Sequence, residues 1–336
     1  MNRPNILIAG GGPAGSVLAT LLAREGLRVV ILDRATFPRP KACGESLNPG
    51  GVRALMTLGL GEAVERLGPA RMKGWALRSP EGISVRADFG GPDLQAWGIP
   101  RASLDATLLE GARSAGAEIL EGVTVVGCHQ GGRGGRPPKL FARAASGASF
   151  ELEPDVLVGA DGLRSRVSGS LGWRQSPRGP RKASLSFRVR GRREAPDRGV
   201  LFLGGHSTLG IAPVSSDGSE WNVTLVSSPD RFGRIPGAEQ MAADPSGLVQ
   251  ERMETAGISW SAGPEVTGGP WASGSFHRPT ARTSGPGVLL VGDAAGYYDP
   301  LTGQGISRAI RGAALAARAI TAGLADDRAN PDFQEY

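Results

Sequence analysis

Asn5-Ile6-Leu7-Ile8-Ala9-Gly10-Gly11-Gly12-Pro13-Ala14-Gly15 opens the chain and decides how the rest of it is read. An apolar run of strand length stops at glycines, and a helical pattern follows at once. Val17, Leu18, Leu21 and Leu22 share one face of that helix, and Gly26 is a natural left-handed stop. A second apolar run, Arg28 to Leu32, ends at Asp33, 18 residues beyond Gly15. Gly10, Gly12 and Gly15 fit G-x-G-x-x-G, with strand, helix, second strand and acid in the order of a β-α-β dinucleotide-binding unit. Gly10 allows the tight turn, Gly12 lets the backbone approach a pyrophosphate, and Gly15 lets the helix close on the strand. The pyrophosphate then sits at a helix N-terminus, where free N–H groups and the helix dipole favour an anion. Asp33 accepts hydrogen bonds from the adenosine ribose, and Pro13, Ala14 and Arg34 are counted with the same binding set.

The composition sets the class. With 336 residues, 40% hydrophobic and 21% charged, the chain buries a sizeable core as one large or two ordinary domains. The 52 glycines and 25 prolines are spread along it and read as turns of an α/β fold. A net charge of +6 stands against 32 acidic residues, without a Lys/Arg run or aromatic-basic interleaving. Nucleic acid is therefore not the expected partner; a small molecule is. An anionic substrate or the phosphates of NAD(P)H account for the mild positive field. Cys43 and Cys128 make no disulfide framework and show no metal-ligand spacing, so no metal is expected. No apolar segment approaches the length of a transmembrane span, and a core strand begins within five residues of the start, so a cytoplasmic location is expected.

Further along, Phe37 to Gly51 mixes proline breakers with charged and reactive side chains, which marks a shaped loop. A helix is expected from Val52 to about Leu58. Met72–Ser79 and Ile83–Phe89 read as a hairpin around Ser79-Pro80-Glu81-Gly82. Arg101 precedes a helix in which Ser103 is the expected N-cap and Asp105 the first-turn acid. Residues 131–139 read as a mobile hairpin loop. Strands are expected at 183–190, 199–203, 210–214 and 221–227, and a helix at 245–256. A buried strand near 287–291 runs into Gly292-Asp293, and a long alanine-rich helix from Ile306 to about Leu324 follows. Another helix is expected to begin at the end of the sequence. The expected fold is α/β: a Rossmann-type cofactor domain (1–71, 97–179 and 276–336) interleaved with a mainly antiparallel β-sheet substrate domain (72–96 and 180–275).

Three separated motifs now stand together: GGGPAG at 10–15, ADGLRS at 160–165 and LLVGDAAGYYDPLTGQG at 289–305. Together they resemble the single-FAD flavoproteins related to para-hydroxybenzoate hydroxylase, a group that includes aromatic monooxygenases, flavin halogenases and geranylgeranyl-reductase-like enzymes. The resemblance implies FAD as cofactor, with NAD(P)H as a transient reductant. It implies that Asp293, made accessible by Gly292, binds the ribityl chain. It places Pro300, Gly303, Gln304 and Gly305 at the flavin's pyrimidine edge, where the helix dipole stabilises the anionic reduced ring. It sets Asp161 near the FAD and nicotinamide, and Arg101 near the diphosphate. The Cys43-Gly44-Glu45-Ser46 loop resembles one that reaches the flavin. Cys43 either tunes or touches flavin or substrate, or is a small buried cysteine without a chemical role.

The reaction is less tightly implied. Monooxygenation, transferring oxygen through a flavin C4a-hydroperoxide to a small aromatic or polyketide-like molecule, is the leading expectation. Alkene reduction is supported by the CGES loop, but the aromatic pattern of the reductase-like enzymes keeps only Pro213 here. A halogenase needs a lysine in the site. Lys73 lies at a suitable distance in sequence but reads as a strand surface residue. His206 is a catalytic candidate, with a structural histidine as the other reading. Phe187, Phe202, Leu209, Ile211, Pro213 and Trp221 are the expected substrate lining. A non-catalytic flavin-binding protein, a separate reductase partner and a homodimer stay open.

Overall fold

The computed structural model describes residues 6–91, 93–132, 136–176, 182–193, 197–229, 234, 238–258, 260, 262–274, 276–325 and 333. The helix expected at the end of the sequence and the middle of the 131–139 loop fall outside them.

The opening apolar run forms a strand, Ile6–Ala9, at the middle of a six-stranded sheet. From one edge the order is Ser284–Gly285, Val288–Leu290, Val156–Gly159, Ile6–Ala9, Val29–Asp33 and Glu118–Glu121. All neighbours are parallel except the first pair. A parallel strand buried on both faces needs continuous apolar residues rather than alternation, which is why Ile6-Leu7-Ile8-Ala9 is unbroken. Ile6 and Ile8 pack with residues of the helices Pro13–Arg24, Arg101–Ser114 and Gly305–Ala325. Leu7 and Ala9 face a three-stranded antiparallel sheet, through Val125, Leu140 and Ala142. Its strands are Val123–His129, Lys139–Ala144 and Ser149–Leu152.

The second large sheet has seven strands, in the order Ala262–Gly274, Ala183–Arg192, Glu220–Ser227, Ser207–Pro213, Arg198–Leu203, Gly74–Arg78 and Ser84–Asp88. It is antiparallel but for the pair joining Arg198–Leu203 to Gly74–Arg78. The hairpin near residue 80 thus joins strands more than a hundred residues later. One face of this sheet carries the helix Pro245–Thr255, whose Leu248, Val249 and Met253 pack on Phe187, Leu209, Ile211, Trp221 and Val223. A small sheet of Ser46–Leu47, Ala96–Gly98 and Ala70–Met72 bridges the two regions.

Two local expectations are corrected. The helix at 101–114 starts at Arg101 with Pro100 as its N-cap and no side-chain cap, so Ser103 lies inside it. Asp105 is fully buried against Arg101 rather than set free against the dipole. The long strand Ala262–Gly274 was not expected from sequence; its four glycines and two prolines are poor strand formers, and pairing with Ala183–Arg192 overrides them. That strand breaks register three times against its partner, as glycine-rich strands do.

Candidate active site

The three sequence motifs meet at the ends of the parallel strands. Gly10 adopts φ +109, and a Cβ built there would lie 2.4 Å from the carbonyl oxygen of Ala160. Gly292 adopts φ +61, and its Cβ would lie 3.0 Å from the Cβ of Ala14. Residues 10 and 292 therefore need glycine, because the segments carrying Ala160 and Ala14 close on them here. Asp33 folds back on the turn: its Oδ2 accepts from the N–H of Gly11 at 2.8 Å and its Oδ1 from Ala35 at 2.8 Å. The helix at 13–24 has Pro13 in its first turn and no side-chain cap, so its N-terminal N–H groups are left for an anion.

Cations gather around that turn. Arg101 is buried and forms a bidentate pair with Asp105, both contacts 2.7 Å. Burial works against its charge, but Asp105 and then Cys43 more than offset this and hold the guanidinium firmly protonated. Arg39 reaches Asp105 at 3.4 Å and Asp33 at 4.0 Å, and lies near Gly12. Lys41 is half-buried close to Gly162; burial and the neighbouring Arg101 hold its pKa below the ordinary lysine value, with Asp293 and Asp105 opposing. Three cations beside an uncapped helix start and a glycine turn suit a diphosphate. These residues fit the adenosine diphosphate half of FAD.

On the other side, Pro300–Thr302 forms a single 3₁₀ turn ended by Gly303 at φ +60, before the helix opens at Gly305. Asp299 caps that turn through Leu301 and is held at 2.5 Å by Lys182, which immediately precedes the strand Ala183–Arg192. Gly292, Asp293, Tyr297, Asp299, Thr302 and Gly305 line a small hollow. Burial, Asp293 and Cys43 push the Tyr297 phenol above the ordinary tyrosine range. Gln304 and Arg34 are exposed beside these features.

The loop at 43–46 lies against the face of the seven-stranded sheet opposite the helix 245–255. Cys43 N–H donates to Ser186 Oγ at 3.2 Å, and Thr224 Oγ1 lies 3.3 Å from the Cys43 carbonyl oxygen. The Arg101 guanidinium lies close enough to Cys43 to feel its sulfur. Glu45 is 3% exposed; it accepts from Arg101 N–H at 2.6 Å and Asn222 Nδ2 at 3.1 Å, and pairs with Arg188. Strand alternation explains this face. Ser186, Arg188, Asn222 and Thr224 point to the loop, and the apolar residues between them point away.

That alternation moves the expected substrate lining. Phe187, Leu209, Ile211 and Trp221 lie in the cluster under the helix, with Phe202 packed against it. Pro213 is buried at the end of its strand, its carbonyl packed on Gly98. Asp161 lies beside Gly10, but its Oδ2 caps the short helix Arg166–Ser170, through Arg166 at 2.5 Å and Val167 at 3.2 Å. His206 is exposed at a bend, its carbonyl accepting from Ser228. Lys73 is 59% exposed and pairs with Asp197 at 3.1 Å, away from the glycine turn. The sequence reading assigned no role to Glu45, Arg188, Asn222 or Thr224. The signal was there: polar residues at 186, 188, 222 and 224 alternate with apolar ones.

The comparisons with known proteins agree with this geometry. A family model described as an FAD binding domain matches residues 3–336. A menaquinone reductase of Mycolicibacterium smegmatis is 28% identical over 337 residues, covering 97% of this chain and 78% of its own. A tryptophan 2-halogenase of Chondromyces crocatus is 28% identical over 365 residues, covering 98% and 64%. Among solved structures, the myxobacterial chondrochloren halogenase CndH superposes with a TM-score of 0.85 at 26% identity, over 98% of this chain and 76% of that one.

Proposed function

The chain belongs to the FAD-binding-domain family of single-FAD flavoproteins and is an FAD-dependent oxidoreductase, and from that premise we propose that it reduces a carbon–carbon double bond in an apolar, chain-bearing substrate. The observation that carries this reading is the open face of the seven-stranded sheet. Beyond the Cys43 loop that face continues through Trp75, Leu77, Leu201 and Val226 to Val85 (54% exposed), Ile83 (63%) and Leu203 (37%). A run of partly exposed apolar side chains leading out of a site suits an isoprenoid-like chain better than a compact polar ring. The resemblance between this chain and a menaquinone reductase and a digeranylgeranylglycerophospholipid reductase supports reduction as the type of reaction. Lys73, the lysine whose sequence distance suits a halogenase, is held at the surface by Asp197, which weakens the halogenase alternative.

The glycine turn, Asp33 and Arg101 would hold the adenosine diphosphate half of FAD, Gly292 and Asp293 the ribityl chain, and the turn at 300–305 the ring. FAD, once reduced, would supply the hydride, and NAD(P)H would be its transient source of electrons. The chain's own part is the proton. The Cys43 thiol gives its Sγ proton to the second carbon of the double bond, and water returns a proton to the sulfur. The apolar face keeps bulk water from the chain of the substrate.

The test is product mass. The purified flavoprotein is reduced under nitrogen with NADH or NADPH and given isoprenoid-chain quinones and lipids. A gain of two hydrogens that persists without oxygen supports reduction. A gain of one oxygen, dependent on air, would establish instead the monooxygenation that the motifs alone put first. Cys43→Ser should keep flavin reduction and lose product formation.

A further inference from the structure

We infer that Glu45 is the positioning residue of this site: its carboxylate clasps the Cys43 loop to the substrate-facing sheet. The inference rests on the reading above that Cys43 faces the substrate. Glu45 is one of two non-glycine residues among those described with positive φ, at +52, the other being His277. Gly44 stands next to it and would adopt that conformation freely, yet the left-handed position falls on the glutamate. What holds it there is the side chain. Oε1 accepts from the backbone N–H of Arg101 at 2.6 Å, where the helix 101–114 begins. Oε2 accepts from Asn222 at 3.1 Å and pairs with Arg188, residues on two neighbouring strands. The Glu45 carbonyl accepts from Ile99 N–H at 2.9 Å. One residue thus ties loop, helix start and sheet together.

The clasp continues to the cysteine. Asn222 Oδ1 accepts from Thr224 Oγ1 at 2.8 Å, Thr224 Oγ1 lies 3.0 Å from Ser186 Oγ where it can accept, and Ser186 Oγ accepts from the Cys43 N–H. Glu45 N–H itself points at the Cys43 sulfur at 3.3 Å. Burial of the carboxylate makes the arrangement all-or-none, because a buried charge stripped of its partners is costly while a complete network is rigid. The Arg188 guanidinium is the counter-charge, and its NH1 has no hydrogen-bond partner in the structure. Glu45 touches neither substrate nor flavin on this account; it acts by fixing the thiol's place and the gap between loop and sheet.

The experiment is alkylation of Cys43 in the FAD-loaded protein by iodoacetamide, followed by peptide mass spectrometry. Cys128, buried under the short helix at 166–170, serves as the internal slow thiol. Glu45→Gln keeps the size but removes the charge facing Arg188, and should speed Cys43 alkylation about tenfold or more, the equivalent of one charge-assisted hydrogen bond. FAD affinity should change far less than alkylation, since a glutamine oxygen can still accept from the Arg101 N–H. Arg188→Gln attacks the clasp from the sheet side and decides the matter if the first variant does not fold. The double variant should be no more reactive than the worse single one, as expected for one shared interaction. Unchanged alkylation in both single variants, or additive effects in the double, would overturn the clasp. Loss of the reductase reading shows up separately, in product mass, and leaves the alkylation result standing.

Discussion

Gly12→Ala and Gly15→Ala, two substitutions three residues apart, should fail in opposite ways. Gly12 has φ −75 and ψ −176, extended backbone open to alanine, and the nearest atom to an added Cβ is Arg39 NH2 at 3.8 Å. The apo fold should therefore lose nothing, and the restricted unfolded chain should add about 0.4–1 kcal/mol. The methyl instead stands where a diphosphate must approach. Losing one backbone N–H contact to phosphate, about 1.5–3 kcal/mol, raises the FAD Kd about ten- to a hundredfold. Gly15 is different: its Cβ would lie 1.9 Å from the Gly10 carbonyl oxygen and 3.2 Å from Ile8 Cγ2. Moving the first contact from 1.9 Å to 3.0 Å shifts the helix off its strand by about 1.1 Å, an overpacking cost of about 1–3 kcal/mol or more. Apo Tm should fall by a few degrees before any flavin is added. Calorimetry of the apo protein and quenching of flavin fluorescence on titration measure the two effects apart. A Gly12→Ala protein that binds FAD as tightly as the parent would refute the seating of the diphosphate on this turn.

Other outcomes follow from the same geometry. Phe187→Ala should cost about 3–5 kcal/mol of stability while leaving KM close to the parent's, since the ring is buried under the helix at 245–255; a large KM change with unchanged stability would return it to the substrate side. Lys73→Ala should change turnover less than about twofold, as an exposed ion pair is worth about 1 kcal/mol or less; loss of activity would reopen halogenation. Asp105→Asn strips a buried carboxylate from Arg101 and Arg39 and should destabilise by about 3–5 kcal/mol in urea unfolding. Burial, with Asp161 beside it, pushes the Cys128 thiol from its ordinary 9.0 up to about 12. Because the folded form holds the proton more tightly, the stability this thiol contributes is intact below pH 9.0 and lost as pH rises toward about 12. Urea midpoints of Cys128→Ala should show a shallower alkaline decline than the parent.

The cofactor half of the molecule was legible because its chemistry is local. A glycine turn, a helix start and an acid at fixed spacing state their own geometry, and Gly10, Gly15 and Asp33 lie where those rules put them. The substrate half depends on which face of a strand turns inward, and alternation alone does not name the face. Phe187 and Trp221 look like pocket lining until the helix at 245–255 covers them. Asp161 sits beside the turn as the motif implies, but one of its oxygens is already committed to a helix start. Glu45 was passed over because its partners at 188 and 222 are far away in sequence and become neighbours only through the sheet.

The strand order carries a consequence for biosynthesis. Ile6–Ala9 leaves the ribosome about 150 residues before Val156–Gly159, with which it pairs, and that strand in turn pairs with Val288–Leu290. At about 5–20 residues per second the opening strand waits roughly ten seconds or more for its inner neighbour, and about as long again before the outer one arrives. Through that interval an apolar strand edge stands unpaired, an invitation to aggregation that a chaperone would have to cover. Flavin can steady the nascent chain only after the segment around Gly292 has been made and has closed on Ala14. Yield of soluble protein should therefore respond to FAD supply during expression, with the cofactor acting as the last stone of an arch.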